Sequence, residues 1–206
     1  MKLYLIRHGM TFGNTQGRYI GTTDEPLSPE GRAALGQYAY PACGVLFVSP
    51  LKRCRETAQL LYPGKEQHVI RGFAECDFGE FENKNYRELS GNPDYQRWID
   101  SGGTMAFPGG ESQESFRRRC AEAFLEMMEA CRKMGADSAA CVVHGGTIMS
   151  ILAEYAVPKE DFYHWQIKNG EGYACGADLD QWVAGIHELK VCEKFSAESG
   201  KRGERQ

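Results

Sequence analysis

Short apolar runs alternate with stretches of three- and four-residue apolar spacing along this chain, and the switches between them mark its elements. Residues 2–6 read as a buried strand. The following RHGMTFGNTQGRYIGTTDEPLSPEG, rich in Gly, Thr, Asn and Asp and without a period, reads as a long functional loop. Ser28 stands where it can cap a helix, with Pro29 at the first helical position. A second buried strand at 45–48 is closed by Ser49-Pro50, and a helix runs through LKRCRETAQLLY to stop near Pro63-Gly64. Residues 67–70 suit a third strand, after which RGFAECDFGEFENKNYRELSG alternates loop with short helix. The segment NPDYQRWIDSGGTMAFPGG reads as mostly irregular, with Trp98 and Phe107 as packing anchors. An amphipathic helix begins near Glu111 or Ser112, where Phe116, Cys120, Phe124, Met127 and Cys131 recur on one face, and ends by Gly135. AACVV gives a fourth strand, an abrupt turn at His144-Gly145-Gly146 and a helix carrying Ile148, Ile151, Leu152 and Tyr155. GYACGADLDQWVAGIHEL reads as two strands around 178–181, and the polar tail 196–206 as a frayed end. Strands alternating with helices predict an α/β fold, a three-layer α/β/α sandwich around a mainly parallel sheet, with its chemistry at the carboxyl ends of the strands.

Composition narrows the function classes. A chain of 206 residues has room for one substantial domain, and 42% apolar with 25% charged residues is ordinary for a globular protein. A net charge of -4 argues against a general nucleic-acid binder, so any anion site must be local. The opening MKLYLIRHG lacks a signal-peptide core and no run reaches a membrane-spanning length, so the expected location is the cytoplasm, without membrane contact. Eight scattered cysteines, with no CxxC pair, favour buried reduced thiols over disulfides or a metal.

The candidate chemistry sits at two strand ends. His8 and His144 each follow an apolar strand and precede a glycine, a setting shared by two of the five histidines. In a parallel sheet such ends can lie side by side, although a lone His-Gly is more often structural. Arg7 ends the first strand and Arg53 lies one turn into the helix after the second, so both can point into the same crevice. Two guanidiniums beside two imidazoles repel unless an anion joins them, and the planar arginine fork suits phosphate oxygens. The bland alternative puts Arg53 and Arg55 in solvent, paired with Glu56. A histidine kept neutral by cations can attack phosphorus while the other groups hold the equatorial oxygens. The leaving alkoxide then needs a proton, and Glu75 and Asp77 lie in an apolar, aromatic stretch that raises carboxyl pKa values. Surface or capping roles remain open for Asp77 and Glu80, and at least two of the three arginines at 117–119 read as a solvated face of a helix that buries Phe116 and Cys120.

LIRHGMTFGN, SPLKRCRETA, FAECDFGEF and VVHGG, taken in this order, resemble the four motifs of the histidine phosphatase superfamily, in the branch that also holds the cofactor-dependent phosphoglycerate mutases. The resemblance implies a phosphoglycerate mutase-like fold and a metal-independent enzyme without a cofactor. It implies that His8 becomes phosphorylated, that Arg7, Arg53 and His144 form the phosphate pocket, and that Glu75 is proton donor and later base. Asn14 matches a phosphate-contacting loop asparagine, and the Gly145 N–H is placed to do the same. GTTDEPLSPEG, ECDFGEFEN and FPGGES are similar to segments of the alpha-ribazole phosphatases of cobalamin biosynthesis, which implies a small phosphomonoester as substrate. Three positions depart from the pattern: Phe81-Glu82-Asn83 stands where Trp-Glu-Gly is common, and Met10 replaces the usual acidic residue. The chain lacks the long middle insertion of the mutases, which favours water as acceptor. The expected organisation is one domain, 1–195, with a cap-like insertion at 83–112 whose Tyr86, Tyr95, Trp98 and Phe107 either stack on a base or pack the cap. A broad-specificity phosphatase, a phosphoglycerate mutase and a non-catalytic phosphate-binding module are the alternatives, and the chain is expected to be a monomer or homodimer.

Overall fold

The computed structural model describes residues 1–37 and 39–195; the tail 196–206 lies outside them. The chain runs β1 (Lys2–Arg7), α1 (Phe12–Thr15), α2 (Pro29–Leu35), β2 (Val45–Val48), α3 (Lys52–Leu61), β3 (Gln67–Val69), α4 (Pro93–Asp100), α5 (Gln113–Met134), β4 (Ser138–Val143), α6 (Gly145–Tyr155), β5 (Ala156–Val157), β6 (Gly172–Ala177), α7 (Leu179–Val183) and β7 (Leu189–Phe195). The strands form one sheet in the order β3-β2-β4-β1-β6-β7-β5. β3, β2, β4 and β1 are parallel neighbours, whereas β6 is antiparallel to both β1 and β7.

Both faces of the parallel half are covered, as its nearly continuous apolar strands require. Leu3 and Leu5 of β1, with Phe47, Ala139, Cys141 and Val143, turn to a large core under α5 and α6. Ile6, Leu46, Val48, Ala140 and Val142 point the other way, against Cys54 and Ala58 of α3. This alternation makes three layers, α/β/α. A third cluster joins Cys76, Phe81, Leu89 and Phe107 to Phe116 and Cys120 of α5, with Tyr95 and Trp98 packed against it.

Capping chemistry sets the helix ends. Ser28 accepts from Gly31 N with Pro29 inside the first turn, and Ser112 accepts from Ser115 N at the start of α5. α5 ends at Gly135, whose φ of 62° is the left-handed conformation that glycine adopts without strain.

Three segments depart from the sequence reading. The stretch expected to be irregular contains α4, started by Asn92, whose side chain accepts from Asp94 N and Tyr95 N, and by Pro93. The two strands expected around 178–181 are present as β6 and β7, but the second begins only at Leu189, because Asp178 caps α7 between them. The loop after β1 holds α1, closed by a reciprocal capping box between Thr11 and Asn14.

Candidate active site

The strand register builds the site. β1 and β4 pair in parallel with Arg7 opposite Val143, and His8 N donates to Val143 O at 2.9 Å, so the next residues along, His8 and His144, emerge together. Their ring centroids are 5.1 Å apart with an edge-on tilt of 66°. β2 ends beside β4 and delivers Ser49, whose Oγ lies 2.7 Å from His144 Nε2. Arg53 follows in the first turn of α3, and the Thr57 hydroxyl one turn later donates to Arg53 O and accepts from Gly9 N. Thus α3 is tied directly to the residue after His8.

Nδ1 of His8 lies 2.7 Å from the Gly9 carbonyl, which only accepts, so Nδ1 carries the proton and Nε2 keeps its lone pair. Burial and then the nearby Arg53 and Arg7 hold the His8 pKa well below its ordinary value, leaving the ring neutral at pH 7. His144 is shifted the same way by burial, with Arg53, His8 and Arg7 as further causes.

The arginines are held by backbone carbonyls and keep donors in reserve. Arg53, 1% exposed, donates from Nη1 to Thr23 O and from Nη2 to Ile20 O and Gly21 O. This rules out the solvent-facing alternative; Glu56 instead accepts from Arg32 and from Leu27 N. Arg7 donates from Nη1 to Ile167 O at 2.6 Å. Nε of both arginines is buried and has no hydrogen-bond partner among the described residues.

Glu75 joins the group beside Gly146 at the start of α6. It is partly buried, and desolvation raises its pKa against the opposing effects of the Cys76 N–H, Arg53, Arg7 and the Gly146 N–H. A Cβ on Gly146 would stand 2.8 Å from Glu75 Oε1, so the start of α6 must be bare there. Gly145, the first residue of α6, lies against the Arg7 guanidinium, which a Cβ would approach to 3.4 Å.

His8, His144, Arg7, Arg53, Glu75 and Gly145 therefore converge, and Asn14 joins them through one residue that sequence reasoning missed. Asn169 Nδ2 donates to His8 O and to Asn14 Oδ1, both at 3.1 Å, and Asn14 Oδ1 also accepts from Thr11 N. With its oxygen so occupied, Asn14 has its amide NH₂ free to donate. Two further residues act behind the site. Arg119 donates to Gly72 O and Ala74 O and grips Glu111 through two bonds, fixing the backbone that carries Glu75, so it is no solvated member of the RRR run. Glu82 Oε1 accepts from Gly21 N at 2.8 Å and Thr23 N at 2.9 Å, the loop whose carbonyls hold Arg53. Asp77 instead closes a turn by accepting from Gly79 N. Tyr86 is exposed beside Arg87, apart from the ring cluster of Tyr95, Trp98 and Phe107.

A neutral histidine, two arginines and a carboxyl whose pKa desolvation raises are groups suited to phosphoryl transfer, and the model of the histidine phosphatase superfamily (branch 1) matches residues 3–186. The chain belongs to this superfamily. Among its histidine phosphatase relatives, the adenosylcobalamin/alpha-ribazole phosphatase of Salmonella typhimurium is 27% identical over 211 residues, covering 95% of this chain and 93% of the relative. The 2,3-bisphosphoglycerate-dependent phosphoglycerate mutase 2 of Gloeobacter violaceus is 30% identical over 164 residues, 74% of each chain. The solved alpha-ribazole phosphatase from Shigella flexneri shares the fold, with a TM-score of 0.81 over 96% of this chain and 97% of that one at 22% identity. Among the described residues no group of three or more His, Cys, Asp or Glu is placed to hold a metal ion, and no helix is long and apolar enough to cross a membrane. Seven cysteines are buried and free, and Cys192 is exposed.

Proposed function

We propose that the protein hydrolyses alpha-ribazole 5'-phosphate to the nucleoside and inorganic phosphate, with His8 carrying the phosphoryl group between two half-reactions. The superfamily also holds mutases, and the hydrolase reading within it is supported by the adenosylcobalamin/alpha-ribazole phosphatase relative that matches over 95% of the chain. The observation that supports the assigned roles is the His8 Nδ1–Gly9 hydrogen bond, which leaves Nε2 as the nucleophile. In the first half-reaction Nε2 bonds to phosphorus, the ester P–O bond breaks, and the departing alkoxide takes the Glu75 proton. Arg7, Arg53, His144, the Asn14 amide and the Gly145 N–H bind the phosphoryl oxygens as charge gathers on them. In the second, the Glu75 carboxylate takes a proton from water as that water attacks phosphorus, and the N–P bond breaks to return neutral His8 and protonated Glu75.

The substrate assignment is supported by the Salmonella relative, whose similarity extends over 95% of the chain, whereas the mutase match covers 74%. Rates with alpha-ribazole 5'-phosphate, 2- and 3-phosphoglycerate and sugar phosphates, with and without 2,3-bisphosphoglycerate, test it. The expected result is a kcat/KM for alpha-ribazole 5'-phosphate well above the others. Equal rates on all monoesters would instead make the enzyme a broad-specificity phosphatase, and bisphosphate-dependent interconversion of phosphoglycerates a mutase.

A further inference from the structure

The chain just before β6 binds Arg7 through three hydrogen bonds. Arg7 Nη1 donates to Ile167 O at 2.6 Å, Arg7 N donates to Glu171 O at 2.9 Å, and Gly170 N donates to Arg7 O at 3.1 Å. Residues 168–171 form a turn in which Glu171 N donates to Lys168 O and Gly170 takes a φ of 80°, the left-handed third position of a type II turn. The Glu171 side chain closes this turn a second time: its Oε2 accepts from Lys168 N at 2.9 Å and pairs with Lys194 Nζ at 3.0 Å. Glu171 is 7% exposed, so its carboxylate depends on these partners in place of water. Lys194 reaches it because β7 carries a bulge. The pairing with β6 shifts between Ala174 and Cys175, which leaves Cys192 as an extra residue on β7. Leu189 and Val191 face the core under α5 and α6, whereas Phe195, which strict alternation would put on the same face, belongs to the opposite cluster. The bulge thus turns Lys194, opposite Tyr173, to the face that carries Tyr173 and, two positions earlier, Glu171.

We propose that Glu171, clamped by Lys194, is a positioning residue for Arg7, fixing the turn whose Ile167 carbonyl sets the angle of the guanidinium. The inference rests on the phosphate-binding role given to Arg7 above and goes beyond it by assigning what orients that group. An arginine meets phosphate through a planar fork, so its orientation matters as much as its charge. Without the carboxylate, Lys168 N loses its acceptor and the turn is free to carry the Ile167 carbonyl away from Arg7 Nη1. The pair also manages charge. Burial lowers the Arg7 pKa, and the charges of Glu75 and then Glu171 oppose that shift. Lys194 offsets the Glu171 charge, which would otherwise repel an arriving phosphate.

Turnover of p-nitrophenyl phosphate, which requires no knowledge of the natural alcohol, and calorimetric binding of inorganic phosphate read the effect. Glu171→Ala should lower kcat/KM and phosphate affinity about tenfold each. Glu171→Gln keeps an oxygen for Lys168 N and should recover most of both. Lys194→Met changes an exposed side chain and should weaken phosphate binding about threefold, with Lys194→Arg restoring it. The deciding measurement is a double-mutant cycle with Arg7. Arg7→Ala alone should cut kcat/KM on the order of 100-fold, and adding Glu171→Ala to it should cost less than about twofold more. A merely structural role would give the same tenfold loss in both backgrounds and overturn the inference, as would a Glu171→Ala variant with wild-type kinetics. If Glu171→Ala fails to fold, the cycle run with Lys194→Met decides, and a loss of phosphate affinity that is absent, or equal with and without Arg7, overturns the inference. Arg7→Ala with undiminished kcat/KM would sink the phosphate-pocket reading and the inference with it. A large loss in Arg7→Ala beside an undiminished Glu171 effect would sink the inference alone.

Discussion

Replacing Glu75 with glutamine separates proton donation from every other task of the site. The side chains are nearly isosteric, and an amide oxygen can go on accepting the Cys76 N–H that Glu75 Oε1 accepts at 3.0 Å. What is lost is the transferable proton, which desolvation keeps on the carboxyl above the usual carboxylate range. General acid catalysis is worth about 10²–10⁴ in rate. For an alkyl ester, whose alkoxide is a poor leaving group, kcat should therefore fall by about 10³. With p-nitrophenyl phosphate, whose phenolate departs with little protonic help, the loss should be about tenfold or less. Steady-state kinetics on the two esters give the ratio directly. The wild-type alkyl rate should decline as pH rises through the elevated Glu75 pKa, and Glu75→Gln should lack that limb. Stability gives a readout free of turnover. Because the folded pKa is raised, the Glu75 contribution to stability is fully present below the unfolded carboxyl pKa and is lost as pH rises through the folded one, a trend the glutamine variant should not show. Equal losses on both esters would refute Glu75 as the acid, as would a larger leaving-group dependence in Asp77→Asn.

Glu82→Ala strips two N–H groups of their shared acceptor and should lower stability by about 3 kcal/mol in urea unfolding while raising KM through a displaced Arg53. Glu82→Gln keeps the accepting oxygen and should recover most of both, so equal KM values for the two variants would disprove the positioning role. Asn169→Ala frees Asn14 to turn its amide and should reduce kcat/KM about tenfold, measured on the alkyl ester; an unchanged value would remove Asn14 from the phosphate pocket. Inorganic phosphate at about 100 times its Kd should stabilise the fold by about 2.7 kcal/mol, visible as a raised Tm, and Arg53→Ala should abolish the increase.

Much of this site is written locally. The strand ends at Arg7-His8-Gly9 and His144-Gly145-Gly146 are visible because an apolar run stops abruptly at polar residues and glycine, and the parallel register brings them together. Ser28-Pro29 and the long apolar stripe of α5 are equally plain, since capping and 3.6-residue spacing act within a few positions. α4 and α7 span only eight and five residues, too few turns for a period to stand out, and there the decisive signals were Asn92-Pro93 and Asp178. Arg119, Asn169 and Glu82 work through bonds that cross 47, 155 and 61 positions of sequence, so nothing near them in the chain reveals their partners. Trp98 has the same character, an aromatic anchor by pattern whose unpaired N–H emerges only from packing.

The central claim is that His8 Nε2 becomes bonded to phosphorus. Brief reaction with a ³²P-labelled alkyl phosphomonoester, alkaline quenching and peptide mapping tests it directly. The account predicts an acid-labile, alkali-stable label on the peptide containing His8, with label and turnover both lost in His8→Ala. Turnover that persists in His8→Ala, or a label on any other residue, would contradict it.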